Sequence, residues 1–198
     1  MKLIIASNNK GKIREYKQLL EPLGYSVVSQ SEAGINIEVE ETGTTFAENS
    51  ALKARAIYGI SKCAVLADDS GLEIDALNGE PGVYSARYGG CTNDADRVSL
   101  VLSKLKDVPE EKRTAHFVCT IHFIAHNGEE IAVEGRVYGS IGYAPIGDNG
   151  FGYDPIFMYE GKSFAQIAPE EKNSVSHRAN ALKALVQKLT QKESIGQI

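Results

Sequence analysis

Leu3-Ile4-Ile5-Ala6-Ser7-Asn8-Asn9-Lys10-Gly11-Lys12 is the stretch on which the fold turns. Its four apolar residues suit a short buried strand and are too few for a signal-peptide core or a membrane span. A polar turn follows, and Ile13, Tyr16, Leu19, Leu20 and Leu23 then recur at helical spacing, with Gly24 as the stop. Val27-Val28 begins a second strand. Thr45-Phe46-Ala47-Glu48 has the form of a capping box, because Thr45 can cap the Glu48 amide and Glu48 can return the bond. It opens an Ala-rich helix to about Tyr58. Ala64-Val65-Leu66-Ala67 is a third apolar run, ending in Asp68-Asp69-Ser70-Gly71. Strand and helix alternating in this way predict a sheet with crossovers.

Beyond this the pattern changes. Asp94 to Leu105 reads as a helix with Val98, Val101, Leu102 and Leu105 on one face. From Arg113 the period is two: Phe117, Cys119, Ile121 and Phe123 point one way, His116, Val118, Thr120 and His122 the other. Asn127-Gly128 is a hairpin signal, with Ile131 to Val137 as the return strand. A final helix from Ser176 to about Leu189 buries Leu182, Leu185, Val186 and Leu189. The expected class is α/β with a long antiparallel pair, in one domain spanning 1–198.

Composition narrows the function. With 21 Lys+Arg against 26 Asp+Glu the net charge is −5, and there is no Trp, which argues against non-specific nucleic-acid coating. Three cysteines, Cys63, Cys91 and Cys119, are odd in number and widely spaced. They exclude a disulfide framework and a Cys-based zinc knuckle, and they suit a reducing cytoplasm. At 198 residues a chain buries roughly 70% of its unfolded surface without staples. A soluble cytoplasmic enzyme with no nucleic-acid or membrane partner is the expectation.

Charge placement points to the chemistry. A cation at a helix N-terminus is unfavourable by about 0.3–1 kcal/mol. Yet Lys10 and Lys12 crowd the start of the first helix with Arg14 one step on, and His177-Arg178 follow Ser176 at the start of the last. Either these side chains extend into water, or a polyanion sits where free amides and cations coincide. Ser7, Asn9 and Lys12 have the strand-to-helix context of a phosphate loop without the first Gly of a Walker loop. An acidic constellation stands opposite. No Lys or Arg occurs between Lys17 and Lys53, while Glu21, Glu32, Glu38, Glu40, Glu41 and Glu48 do. Asp68-Asp69 stand at the expected carboxyl end of a strand, where open α/β sheets bind ligands. A hard cation such as Mg2+ takes one or two carboxylates plus substrate phosphates.

Gly147-Asp148-Asn149-Gly150-Phe151-Gly152-Tyr153-Asp154 interleaves glycine with aromatic rings, which suits either a Gly-rich turn or a backbone approaching a flat ligand on which a ring stacks. His116, His122 and His126 read as strand-face residues: His122 and His126 would lie roughly 13 Å apart on a strand, too far to share a metal. The cysteines read as packing residues, and no Gly-x-Ser-x-Gly nucleophile pattern occurs.

Taken in order, Ser7 to Lys12, Glu40-Glu41-Thr42-Gly43, Phe46-Ala47-Glu48-Asn49, Ala67 to Leu72 and Pro81 to Arg87 resemble the inosine triphosphate pyrophosphatases. Phe151-Gly152-Tyr153-Asp154-Pro155, Glu171-Lys172 and His177-Arg178 complete the likeness. The resemblance implies an elongated, two-lobed mixed sheet with flanking helices and a central substrate cleft, as a homodimer. It implies Mg2+-dependent hydrolysis of ITP, dITP and XTP to the monophosphate and pyrophosphate. By position, Ser7, Asn8, Asn9, Lys10, Gly11 and Lys12 would hold the phosphates, with Lys53 a further phosphate contact. Asp69 would be proton acceptor and metal ligand, Glu40 the second ligand with Glu38 and Glu41 as alternatives, and Ser70 a substrate contact. Phe151, Gly152, Tyr153, Asp154, Lys172, His177 and Arg178 would line the nucleotide pocket, so that Arg178→Ala is expected to damage nucleotide binding more than folding. Two competing readings are a pyrophosphatase of modified pyrimidine nucleotides and a non-catalytic nucleotide-binding regulator.

Overall fold

The computed structural model describes residues 1–194. The elements are β1 (Lys2–Ile5), α1 (Lys10–Leu20), β2 (Ser26–Ser29), α2 (Phe46–Ser61), β3 (Ala64–Ile74), α3 (Asp94–Lys104), β4 (Thr114–Ile124), β5 (Glu130–Ile141), β6 (Phe157–Tyr159), β7 (Lys162–Ser163), α4 (Pro169–Val175) and α5 (His177–Ser194). One sheet contains all seven strands in the order β2-β1-β3-β4-β5-β6-β7. β1 runs parallel to both β2 and β3, whereas β6 is antiparallel to β5 and to β7. Among the described residues no helix is long and apolar enough to cross a membrane.

The chain forms two compact units. The first comprises residues 1–69, 119–135 and those from 178 onward; the second comprises 70–118 and 136–177. In the first, β1 is buried on both faces, as a parallel strand between covering helices must be. Leu3 and Ile5 join Tyr16 and Leu20 of α1 and Leu182 and Leu185 of α5 on one face; Ile4 and Ala6 join Ala54 and Ile57 of α2 on the other. The second unit closes around Leu72, Ile74, Val101, Leu105, Phe117, Phe157 and Phe164. Burial at about 25 cal/mol per Å2 of apolar surface supplies the main stabilisation of each.

The expected crossovers are present, and the capping box at Thr45 and Glu48 is made in full. α1 ends in a turn of 3-10 helix at Glu21–Leu23 with Gly24 left-handed behind it, at φ 86°. Several expectations need correction. Leu23 is exposed because that tighter turn rotates it off the apolar stripe, and Val186 is exposed because the buried arc of α5 stops at Leu182 and Leu185. His126 lies in the turn at 125–129 between β4 and β5 rather than on a strand. β4 is buried on both faces from Phe117 on, so its alternation does not mark a wet side.

The largest correction concerns β3. It does not end at Ala67 but continues to Ile74, because Leu72 and Ile74 keep the period of two and bury in the second core. Asp68 and Asp69 therefore stand in mid-strand. What ends there is the pairing with β1, whose last partner is Leu66. The chain leaves β1 through α1 to β2 on one side and returns through α2 to β3 on the other, which makes β1 a topological switch point.

Candidate active site

At the carboxyl end of β1, Ser7 Oγ accepts from the Asn9 amide at 3.1 Å, and Asn9 Oδ1 caps α1 by accepting from the Lys12 amide at 3.1 Å. Asn8 Oδ1 accepts from Ser31 Oγ at 2.9 Å. Asn8, Asn9 and Lys10 are exposed, and Gly11 is half-buried at the helix start. The loop is thus shaped by its own side chains, with α1's positive end directed out of it.

Period two sends consecutive residues of β3 to opposite faces. Asp68 goes to the face covered by α1 and α5, where Lys12 Nζ meets its Oδ2 at 2.9 Å and Arg178 Nε lies 3.5 Å from the same oxygen. Arg178 Nη1 donates to Glu15 Oε2 at 2.8 Å. Arg178 is only 3% exposed, and the carboxylates of Glu15 and Asp68 hold its guanidinium protonated against the cost of burial. Asp69 goes to the α2 face. Asn49 Nδ2 donates to its Oδ2 at 3.2 Å, and Lys53 Nζ lies 3.4 Å from its Oδ1 and 2.7 Å from Glu41 Oε1.

Burial pushes the Asp69 carboxyl above the ordinary aspartate range, and Lys53 and Lys12 pull it back without cancelling the shift. Burial alone would depress Lys53, but Asp69, Asp68 and Glu41 outweigh it and hold the ammonium above its usual range. A buried carboxylate with an elevated pKa, fixed by an amide and flanked by cations, can accept a proton in a site that also attracts anions.

Gly43 sets the Asn49 amide. Its N–H donates to Asn49 Oδ1 at 2.8 Å, so the Asn49 NH2 must face Asp69. A Cβ on Gly43 would stand 2.6 Å from Glu48 Cβ and 2.7 Å from Asn49 Oδ1. Gly43→Ala is accordingly expected to lower turnover by about tenfold or more through loss of Asp69 alignment, with the far-ultraviolet circular dichroism unchanged. Wild-type turnover in that variant would separate Gly43 from the site.

The remaining assigned residues belong to the second unit, apart from Glu40. Asp154 Oδ2 accepts from the Phe151 amide at 2.9 Å and from Lys172 Nζ at 2.6 Å, and that ammonium sits 5.1 Å from the centre of the Phe151 ring. Gly150 is required: its φ is 79°, and a Cβ there would lie 2.0 Å from Asp154 Oδ2. Gly152 N donates to Asp94 Oδ2 at 2.8 Å. His177 stacks on Phe117 with ring centroids 4.8 Å apart. Ser70, next on β3, is half-buried. Tyr153 corrects the stacking expectation: its ring is in the core and its hydroxyl donates to the Ser85 carbonyl at 2.8 Å, so Phe151 is the ring this turn leaves half-buried.

Sequence reasoning missed Asp68 as an ion-pair centre, Glu15 as a partner of Arg178, and Asn49 as the donor to Asp69. A signal existed for Glu15, which adjoins the buried Tyr16 and stands one turn from Lys12. The counter-charge for two cationic helix starts is therefore supplied in part by the chain itself. Glu40 is exposed, whereas Glu41 is the glutamate held by Lys53.

These features define an α/β protein with a polar, cation-rich loop at a sheet switch point and a buried carboxylate beside it, the arrangement of a phosphate-handling enzyme. The Ham1 family model matches residues 3–188. The dITP/XTP pyrophosphatase of Bacillus subtilis (strain 168) is 49% identical over 185 residues, which cover 92% of this chain and 93% of the relative. That of Clostridium perfringens (strain 13 / Type A) is 47% identical, covering 93% and 95%. The structure of the Staphylococcus aureus Ham1 protein superposes with a TM-score of 0.85 at 42% identity, covering 97% of this chain and all of that one. The chain belongs to the Ham1 family.

Proposed function

We propose that this protein hydrolyses non-standard purine nucleoside triphosphates, dITP, XTP and ITP, to the monophosphate and pyrophosphate, removing them from the nucleotide pool. The observation that carries the reading is Asp69, buried with a raised pKa and held by Asn49 and Lys53, one strand away from the loop that caps α1. The names of the relatives support the substrate class.

In this reading the Ser7–Lys12 loop binds the phosphates through the amides of Asn8, Lys10 and Gly11 and the Lys10 and Lys12 ammonium groups, which stabilise the departing pyrophosphate. Asp69 accepts the proton of the water that attacks the α-phosphorus. Lys53 favours the ionised form of that carboxylate against burial and provides a further cation to the phosphates. Phe151, Asp154, Lys172 and His177 are assigned to the base, where polar groups pairing with a 6-oxo purine leave a 6-amino purine unsatisfied.

Mg2+ is proposed as cofactor. Among the described residues no group of three or more His, Cys, Asp or Glu side chains could hold a metal by itself. One or two carboxylates completed by substrate oxygens is the donor set Mg2+ prefers, and it is what Asp69 and the Glu38–Glu41 segment offer. Glu40 fits as second donor because its carboxylate is exposed and not spent on Lys53, as that of Glu41 is. When bound, the ion would neutralise charge on the phosphates. A cytoplasmic homodimer is likewise proposed, supported by the family likeness and by three cysteines that form no disulfide.

Pyrophosphate detection over dITP, XTP, ITP, dTTP and UTP, with Mg2+ or with chelator, tests the reading. Release from the three purine substrates, lost by at least about 100-fold on chelation, is expected. Preference for dTTP or UTP would favour the pyrimidine class, and binding without product would favour a regulator.

A further inference from the structure

We propose that Asp68 is a positioning residue that presents Lys12 to the phosphates, an inference that rests on the pyrophosphatase reading above. Lys12 is the third residue of α1, and its amide is engaged by the Asn9 cap. Its side chain therefore starts in the first turn, where the helix dipole disfavours a cation and a flexible four-carbon stem would extend into water. Asp68 prevents this. Its carboxylate is fully buried, while the Lys12 side chain is 15% exposed, so the ion pair is anchored from inside and the lysine keeps contact with solvent.

Asp68 is itself fixed. It lies in mid-strand on β3, next to Asp69, and Arg178 Nε approaches its Oδ2 at 3.5 Å while Nη1 binds Glu15. Lys12 and Arg178 thus meet Asp68 and Glu15 on the α1 and α5 face. An ammonium has three donors, and the 2.9 Å contact to Asp68 uses one, leaving two for phosphate oxygens. Consecutive residues of one strand then set both halves of the chemistry: Asp68 orients the cation for the leaving group, and Asp69 faces the amide and lysine of α2.

A double-mutant cycle tests this, with Asp68→Asn and Lys12→Met measured singly and together. Asp68→Asn keeps the side-chain shape and leaves the Arg178–Glu15 pair intact; Asp68→Glu, which keeps the charge, replaces it if the Asn variant does not fold. The readouts are kcat and KM for pyrophosphate release from dITP with Mg2+, and calorimetric binding of inorganic tripolyphosphate. Asp68→Asn is expected to lower kcat/KM and tripolyphosphate affinity by about tenfold when Lys12 is present and by less than about twofold when it is introduced on top of Lys12→Met. Equal losses in both backgrounds would overturn the proposal, since a purely structural Asp68 has no reason to need Lys12. A wild-type protein that binds tripolyphosphate but releases no pyrophosphate would sink the activity reading instead, while the binding cycle still decides the role of Asp68.

Discussion

Asp69→Asn is expected to reduce pyrophosphate release from dITP by about 10³-fold while the protein remains folded. The amide keeps the size of the carboxylate but can neither accept the water's proton nor contribute charge to a metal. Folding is spared because Lys53 retains Glu41 at 2.7 Å when Asp69 loses its charge. Near-normal turnover would remove Asp69 from the reaction. The wild-type pH profile should agree. Burial raises the Asp69 pKa, so the native state holds that proton more tightly than the unfolded chain does. Its contribution to stability is therefore present below the unfolded value and is lost as pH rises through the folded one. Activity runs in the opposite direction, because the ionised form is the proton acceptor. The acid limb of kcat/KM, which reports the free enzyme, is expected above the ordinary aspartate range. An acid limb at or below that range would contradict the burial-dominated environment.

Arg178→Ala is expected to cost about 3–5 kcal/mol of stability, because it takes the guanidinium from the buried Glu15 carboxylate and leaves Asp68 with Lys12 alone of its two cations. The family resemblance implied damage to nucleotide binding over folding, because it places Arg178 in the nucleotide pocket. Tertiary structure adds a folding role. Arg178 is buried, with Nη1 on Glu15 at 2.8 Å and Nε at 3.5 Å from Asp68. Urea denaturation followed by circular dichroism measures the loss, and an unshifted midpoint would show that water reaches these carboxylates once Arg178 is gone. A second substitution distinguishes the causes: Glu15→Gln with Arg178→Met removes both charges of the closer pair and should recover part of the stability, as isosteric replacement of buried ion pairs does.

The local elements were legible from residue order because their causes are local. Thr45 and Glu48 make the capping box that their spacing of three dictates, and the apolar positions of β1 and α1 have only one periodicity each to satisfy. The candidate site was legible as a set of positions, and Asp69 stands among cations as their types suggested. The partners were less accessible. Asp68 and Asp69 look alike in sequence, and only the pleat of β3 sends one toward Lys12 and Arg178 and the other toward Asn49 and Lys53. Tyr153 reads as a ligand-facing ring until the Ser85 carbonyl claims its hydroxyl inside a core.

Sequence by itself determined the crossover architecture, the capping box at Thr45 and Glu48 and the inventory of candidate cationic and carboxylate groups, because periodicity and short-range hydrogen bonding act over a few residues. The tertiary structure decided the extension of β3 through its acidic pair, the pairing of each buried charge and the protonation behaviour of Asp69. Those depend on burial and on partners as far apart in the chain as Glu15 and Arg178, and no rule of spacing encodes a distance that only folding creates.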